Sequence, residues 1–234
     1  MTAIEKNSVD AVKILTENGA SFVDGKLKNN FLKINPHPIV YAVQNDRVEI
    51  VKYFLTRFDD ALKDFTCYDM NSALENAQYN QNIEMVETLC VFIKDNYQKF
   101  APKSPIEYFI NQAILRNYPV EILNSLFGIG VVDYSYQNER DGLTLLHSAV
   151  KSKNLEAVKY LIEKGANPNM KDSSNDTPLS MAIKKKQSEI AELLANDSNL
   201  DVNMKIGRSN YLKMAQAKKF DNLVSILKGK GAIE

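Results

Sequence analysis

Apolar residues return along this chain in short bursts at helical spacing. In Glu49-Ile-Val-Lys-Tyr-Phe-Leu55 and in Glu156-Ala-Val-Lys-Tyr-Leu-Ile162 they mark one face while charge occupies the other, which predicts amphipathic helices of two to three turns. A second kind of burst is shorter. Thr144-Leu-Leu-His-Ser-Ala149, Thr177-Pro-Leu-Ser-Met-Ala182 and Asn210-Tyr-Leu-Lys-Met-Ala215 each open on a residue able to cap a helix, with Leu two positions on and Ala three after that. Pro38 and Pro178 fall where the first helical residue has no use for its N–H.

The short bursts are copies of one another. Their alanines stand 33 residues apart, and the column runs back through Ala113, Ala77 and Ala42 in steps of 36, 36 and 35. Nine residues after each Ala comes Val51, Val86, Ile122, Val158, Ala191 or Val224, and Val12 places a truncated unit at the start with its Ala at Ala3. Twelve after it comes Leu15, Phe54, Leu89, Leu161, Leu194 or Leu227, with Leu126 standing in for Ser125 by a one-residue shift. Gly19, Gly165 and Gly231 follow at sixteen, where glycine ends a helix at little cost. Each unit therefore predicts two short antiparallel helices. Neither could bury its apolar face alone, so the stack is the folding unit. Boundaries fall at about 1–20 (partial), 36–66, 67–101, 102–138, 139–171, 172–204 and 205–234, in one domain over 1–234.

This pattern resembles the ankyrin repeat. The run from Asp141-Gly-Leu-Thr-Leu-Leu-His-Ser-Ala-Val150 to Leu161-Ile-Glu-Lys-Gly-Ala-Asn-Pro-Asn169 is similar to the family consensus almost throughout, and the next unit keeps Thr177-Pro178-Leu179. The resemblance implies an all-α solenoid of helix-turn-helix repeats joined by hairpin loops. It also implies a hydrogen bond from His147 to the neighbouring repeat, and protein binding through the hairpin tips and the concave face of the first helices. Departures are local: the second and third full units lack the Gly-Ala ending, Pro119 enters the second helix of the third, and 20–35 and 92–105 hold extra residues.

Register then names candidate contacts. Tip positions are Tyr68, Asp69 and Asn71, then Arg140, Asp141 and Leu143, then Ser173, Ser174 and Asp176. Positions two and three after each Ala give Gln44 and Asn45, Tyr79 and Asn80, Leu115 and Arg116, Lys151 and Ser152, Lys184 and Lys185. Because Tyr and Arg are enriched at binding hot spots, Tyr68, Tyr79, Arg116 and Arg140 head this set, with Asn80, Leu115, Lys151, Lys184 and Lys185 beside them.

Composition narrows the chemistry. With 29 basic and 29 acidic residues the formal net charge is zero, which argues against nucleic acid as a partner. The distribution is uneven: residues 1–150 hold 14 Lys/Arg against 19 Asp/Glu, and 151–234 hold 15 against 10. Lys184-Lys185-Lys186 reads as a solvated turn, with no interleaved aromatic residue to stack bases. Cys67 and Cys90 are two reduced thiols without zinc-ligand spacing; His37 and His147 are the only histidines, and no nucleophile is paired with a base. The sequence thus predicts no catalytic centre, metal or cofactor, no membrane insertion, and a monomer in the cytoplasm. The competing expectation is a recognition segment of a larger enzyme or of a secreted bacterial effector acting in host cytosol. Lys over Arg at 24 to 5, 24 Asn and no Trp are the bias of an AT-rich genome, which points to an intracellular bacterium or a protist as the source.

Overall fold

A computed structural model describes residues 2–18, 37–57, 66–96, 106–130 and 132–233. Gly19, the extra residues 20–35, most of the second insertion (97–105) and the Cys67 side chain lie outside the described residues. The chain divides into two compact units, Met1–Phe109 with Pro119–Val131, and Ile110–Tyr118 with Val132–Glu234.

In the first unit the described helices are α1 (Thr2–Glu5), α2 (Val9–Glu17), α3 (Pro38–Gln44), α4 (Val48–Thr56), α5 (Cys67–Tyr79), α6 (Ile83–Asp95), the opening turn of α7 (Ile106–Leu115) and α8 (Val120–Phe127). First helices pack on first helices, α1 on α3 and α3 on α5; second helices pack likewise, α2 on α4, α4 on α6 and α6 on α8. In the second unit, after the remainder of α7, come α9 (Leu145–Lys151), α10 (Leu155–Glu163), α11 (Pro178–Lys184) and α12 (Ser188–Asn196). The strands β1 (Lys205–Ile206) and β2 (Ser209–Asn210) follow, then α13 (Tyr211–Lys218) and α14 (Asp221–Gly229). The same two rows recur, α9, α11 and α13 in one and α10, α12 and α14 in the other. β1 and β2 form an antiparallel hairpin with Ile206 opposite Ser209. The fold is the all-α repeat stack with hairpin loops that the sequence predicts.

The alanine column explains the spacing of the stack. Ala42, Ala77, Ala113, Ala149, Ala182 and Ala215 have no exposed surface, and the Leu or Ile three residues earlier is buried on the same helix face. A small side chain there lets two first helices approach closely. The column also sets the turn between the paired helices. In all seven repeats its carbonyl accepts the N–H of the residue five positions on, from Ser8 to Ala3 through Phe220 to Ala215. The intervening residue then adopts a left-handed backbone: Asn7, Asp46, Gln81, Asn117, Lys153, Lys186 and Lys219 have φ between 51° and 58°. That is the hydrogen-bonded helix ending in which glycine is the usual residue, built here without a single glycine.

Four local expectations change. Pro119 does not enter a helix; it precedes α8 as its N-terminal flanking residue, where a missing N–H is harmless. α5 begins at Cys67, ten residues before Ala77, where α3, α9, α11 and α13 begin four before their alanines, because Thr66 and Asp69 cap each other's backbone and add nearly two turns. Tyr68, Asp69 and Asn71 are consequently residues of that helix and not a hairpin tip, while Leu143, assigned to a tip, is buried beneath its loop. Leu15 is 51% exposed and Val224 half-buried, whereas their counterparts Phe54, Leu89, Leu161, Val51, Val86 and Val158 are fully buried. α2 and α14 each have a described neighbour on one side only, so an apolar residue aimed to the other side stays uncovered.

Candidate protein-binding surface

Folding leaves two groups of side chains uncovered on the first-helix row and its loops, one in each unit. In the first unit they stand on α5. At 100° per residue, Met70, Ala73, Leu74, Ala77 and Gln78 fall on the buried side, and Tyr68, Ser72, Glu75 and Tyr79 on the opposite one. Tyr68 and Tyr79 are 62% and 72% exposed, eleven residues and hence about 16 Å apart along the axis. Asn80, which ends α5, donates from Nδ2 to Asp46 Oδ1 at 3.1 Å, and Asn82 donates to the same oxygen at 3.1 Å. Asn80 therefore serves to join two repeats.

In the second unit Leu115 ends α7 half-buried, and Arg116 donates from Nη1 to the Tyr118 hydroxyl at 3.1 Å. The adjacent Asn117 reaches Ser152 O at 3.4 Å. Arg140 lies on an exposed turn fixed by Asn138, whose Oδ1 accepts the N–H of Arg140 and of Asp141. That turn is tied to the next loop: Ser173 donates its N–H to Asp141 O at 3.0 Å, and Gln137 Nε2 donates to Gly142 O and Lys171 O at 2.7 and 2.9 Å. Gly142, at φ +66°, is required there, since a Cβ would come within 3.0 Å of the Ser173 backbone.

His147 occupies the centre of this region. Nδ1 faces the Thr144 N–H and hydroxyl at 3.2 and 2.8 Å, and Nε2 lies 2.9 Å from Asp176 O, so Nε2 carries the proton and donates across the repeats. Burial pushes its pKa below 6.5, against the opposing pull of the Asp176 carbonyl and of Asp172, Asp176 and Asp141. The inter-repeat role implied by the resemblance is what the ring performs.

The lysines are placed less freely than the sequence suggests. Lys184 is exposed but paired: its Nζ lies 2.6 and 2.7 Å from the two oxygens of Asp176, a carboxylate 12% exposed that also accepts the Ser180 hydroxyl at 2.8 Å. Lys151 lies 3.8 Å from Asp141. Lys185 and Lys186 are exposed, and no ion pair reaches them among the described residues. Asp46 is the neighbour that register alone missed, and Asp176, which register placed only as a tip residue, acts as the partner of Lys184, because each works through a fold-made contact.

Among the described residues no group of three or more His, Cys, Asp or Glu side chains is placed to hold a metal ion, and no helix is long and apolar enough to cross a membrane. Cys90 is buried, its thiol pushed up to about 12 chiefly by desolvation and further by Glu87.

Paired short helices in two parallel rows, capped first helices and loops hydrogen-bonded from one repeat to the next define a helical repeat protein of the solenoid class. The profile of ankyrin repeats (3 copies) matches residues 1–99 and 110–206, and the chain belongs to the ankyrin-repeat family. The crystal structure of an ankyrin repeat domain from Acinetobacter baumannii AYE superposes with a TM-score of 0.65 at 25% identity, covering 85% of this chain and 100% of that one. Among sequences, the chain is 28% identical over 85 residues to the human transient receptor potential cation channel subfamily A member 1, which is 36% of this chain and 8% of the channel. It is 31% identical over 189 residues to an L-asparaginase of Dirofilaria immitis, 78% of this chain and 28% of that protein. The chain spans less than a third of the length of these relatives. Ankyrin repeats are in general protein–protein interaction modules.

Proposed function

We propose that the chain binds a protein partner through the exposed ends of its first helices and the adjoining loop turns, and that it catalyses nothing itself. The contacts are Tyr68 and Tyr79 in the first unit, and Leu115, Arg116, Arg140, Lys151 and Lys185 in the second, Asn80 being held back by Asp46 and Lys184 by Asp176. The observation that carries this reading is Tyr79. A tyrosine 72% exposed at a helix end contributes little to its own fold, and a large ring on a rigid helix is the kind of group that anchors a partner.

Photo-crosslinking residues placed at 79 and 116 should capture a partner from lysate, and the same residue at Lys159 or Glu192 on the second helices should not. Equal capture from all four positions would overturn this reading. A second reading, that the chain is the recognition part of a longer protein, draws support from the small fraction of each relative's length that it spans.

A further inference from the structure

The turn between paired helices is built alike in every repeat but not occupied alike. At its left-handed residue the chain places Asn7, Asp46, Gln81 and Asn117, and then, in the last three repeats, Lys153, Lys186 and Lys219, each at φ 58°. Nothing in the turn asks for lysine. Its Cβ crowds a carbonyl oxygen, a contact that glycine avoids and that Asn or Asp offsets by local hydrogen bonding. Nor is the ammonium spent on the fold: all three lysines are exposed, as are Lys185 and Lys218 beside two of them, and among the described residues no ion pair reaches any of the five. Lys151 and Lys184, by contrast, are paired with Asp141 and Asp176. No Asp or Glu occurs in 145–154, 178–187 or 211–220, the first helices with their turns.

These turns are neighbours within the second unit. α11 packs against both α9 and α13, and α12 against both α10 and α14, so equivalent residues of successive repeats stand one interhelix distance apart, roughly 10 Å. Gln187, next to Lys186, donates from Nε2 to Val150 O at 3.0 Å and fixes one turn to the turn before it. The three lysines thus form a row about 20 Å long on an edge held by packed helices.

We propose that this edge takes an acidic helix of a partner protein, laid along the stack with its carboxylates facing Lys153, Lys186 and Lys219 in turn. The proposal rests on the protein-binding reading above and names the chemistry of the partner. Residues seven apart on an α-helix share a face and lie about 10.5 Å apart along its axis, so Asp or Glu at that interval meets one lysine per repeat. An extended segment returns to one face every second residue, in steps of about 6.6 Å, and falls out of step with the row. The edge is also interrupted. Glu156, Glu189 and Asp221 are exposed in the first turn of each second helix, two or three residues past the left-handed lysine. A nucleic-acid strand, charged at every step, would meet these carboxylates as well as the lysines, and the single aromatic residue of 151–154, 184–187 and 218–220, Phe220, is half-buried and offers no open face to a base.

The test is an NMR titration of the intact 15N-labelled chain at low salt. The probe is a capped, alanine-rich helical peptide carrying three glutamates seven residues apart. One control carries them five residues apart, which turns them to different faces, and the other is a single-stranded oligonucleotide of matched charge. The seven-spaced peptide should shift resonances of 151–154, 184–187 and 218–220, bind several-fold more tightly than the five-spaced one, and weaken as salt rises. Lys153→Gln, Lys186→Gln and Lys219→Gln together should weaken it about tenfold, whereas Arg at the same three positions should retain it; these side chains are exposed, and unchanged circular dichroism confirms the fold of each variant. Equal affinity for the two peptides, an unaltered affinity in the Gln variant, tighter binding of the oligonucleotide than of the peptide, or no shift in the three turns would each overturn the acidic-helix assignment. Crosslinking of a protein at positions 79 and 116 in any of those cases leaves the binding reading standing, whereas its loss as well would end both.

Discussion

His147 shows how far one residue's chemistry is rewritten by its surroundings. In sequence it is a titratable ring near neutrality; in the fold it is a buried, neutral strut donating from Nε2 to Asp176 O and held at Nδ1 by Thr144. Its pKa is depressed, so the unfolded chain takes up a proton here before the folded one does. The stabilisation is therefore fully present above the unfolded value of about 6.5 and is lost as pH falls below it toward the folded value. Urea titrations should show stability falling across the window that opens as pH drops below about 6.5, and His147→Gln should remove most of that dependence while being less stable throughout. A parent curve that is flat across the window would mean that the ring is not held neutral. None of Asp141, Asp172 and Asp176, the three carboxylates that oppose the depression, could have been assigned that role from position alone.

At the scale of the element, the recurring device is the turn between paired helices. Seven non-glycine residues are held at φ 51–58° because the N–H one position further on is bound to the alanine carbonyl. Asn and Asp tolerate this backbone through local hydrogen bonding, but Gln81, Lys153, Lys186 and Lys219 place a Cβ against a carbonyl at a cost of about 1–2 kcal/mol each, of which glycine would return about 0.5–1 kcal/mol in added freedom of the unfolded chain. Lys186→Gly should consequently stabilise the protein by about 0.5–1 kcal/mol in chemical denaturation, and Asn117→Gly by less. Destabilisation by Lys186→Gly comparable to that of glycine in a helix interior, about 1 kcal/mol, would show that its side chain supplies more than the turn demands. The helix start at Cys67 belongs to the same scale. Thr66 and Asp69 form a legible capping pair, but only the formed helix put Tyr68 and Tyr79 on one face.

At the scale of the whole molecule the repeats are unequal. α9, α11 and α13 begin with side-chain caps at Thr144, Thr177 and Asn210, and successive loops are joined by Gln137 to Lys171 O, His147 to Asp176 O and Asn169 to Asn199 O. Thr177 also meets the hydroxyl of Tyr211, a phenol pushed up to about 12 chiefly by burial. At the start of the chain α2 leaves Ile14 and Leu15 largely exposed. In a stack where each repeat is supported by its neighbours, stability follows such local interfaces. Hydrogen exchange should therefore be slowest through α9 to α13 and fastest in α1 and α2; uniform protection along the chain would show that the whole opens as one unit.

The sequence by itself determined the repeat, its register, the family and the buried column, because an alanine at a helix crossing and a leucine one turn away are forced by steric fit and recur wherever the fold recurs. It also pointed to the inter-repeat use of His147 through the resemblance to its family. What only the tertiary structure decided is which polar side chains stay available: Lys184 is paired with Asp176 and Asn80 is spent on Asp46, while Lys185 stays exposed. Pairing depends on distances between side chains that belong to different turns or neighbouring repeats, and a one-dimensional pattern fixes the residue types at those points but not whether their polar atoms meet.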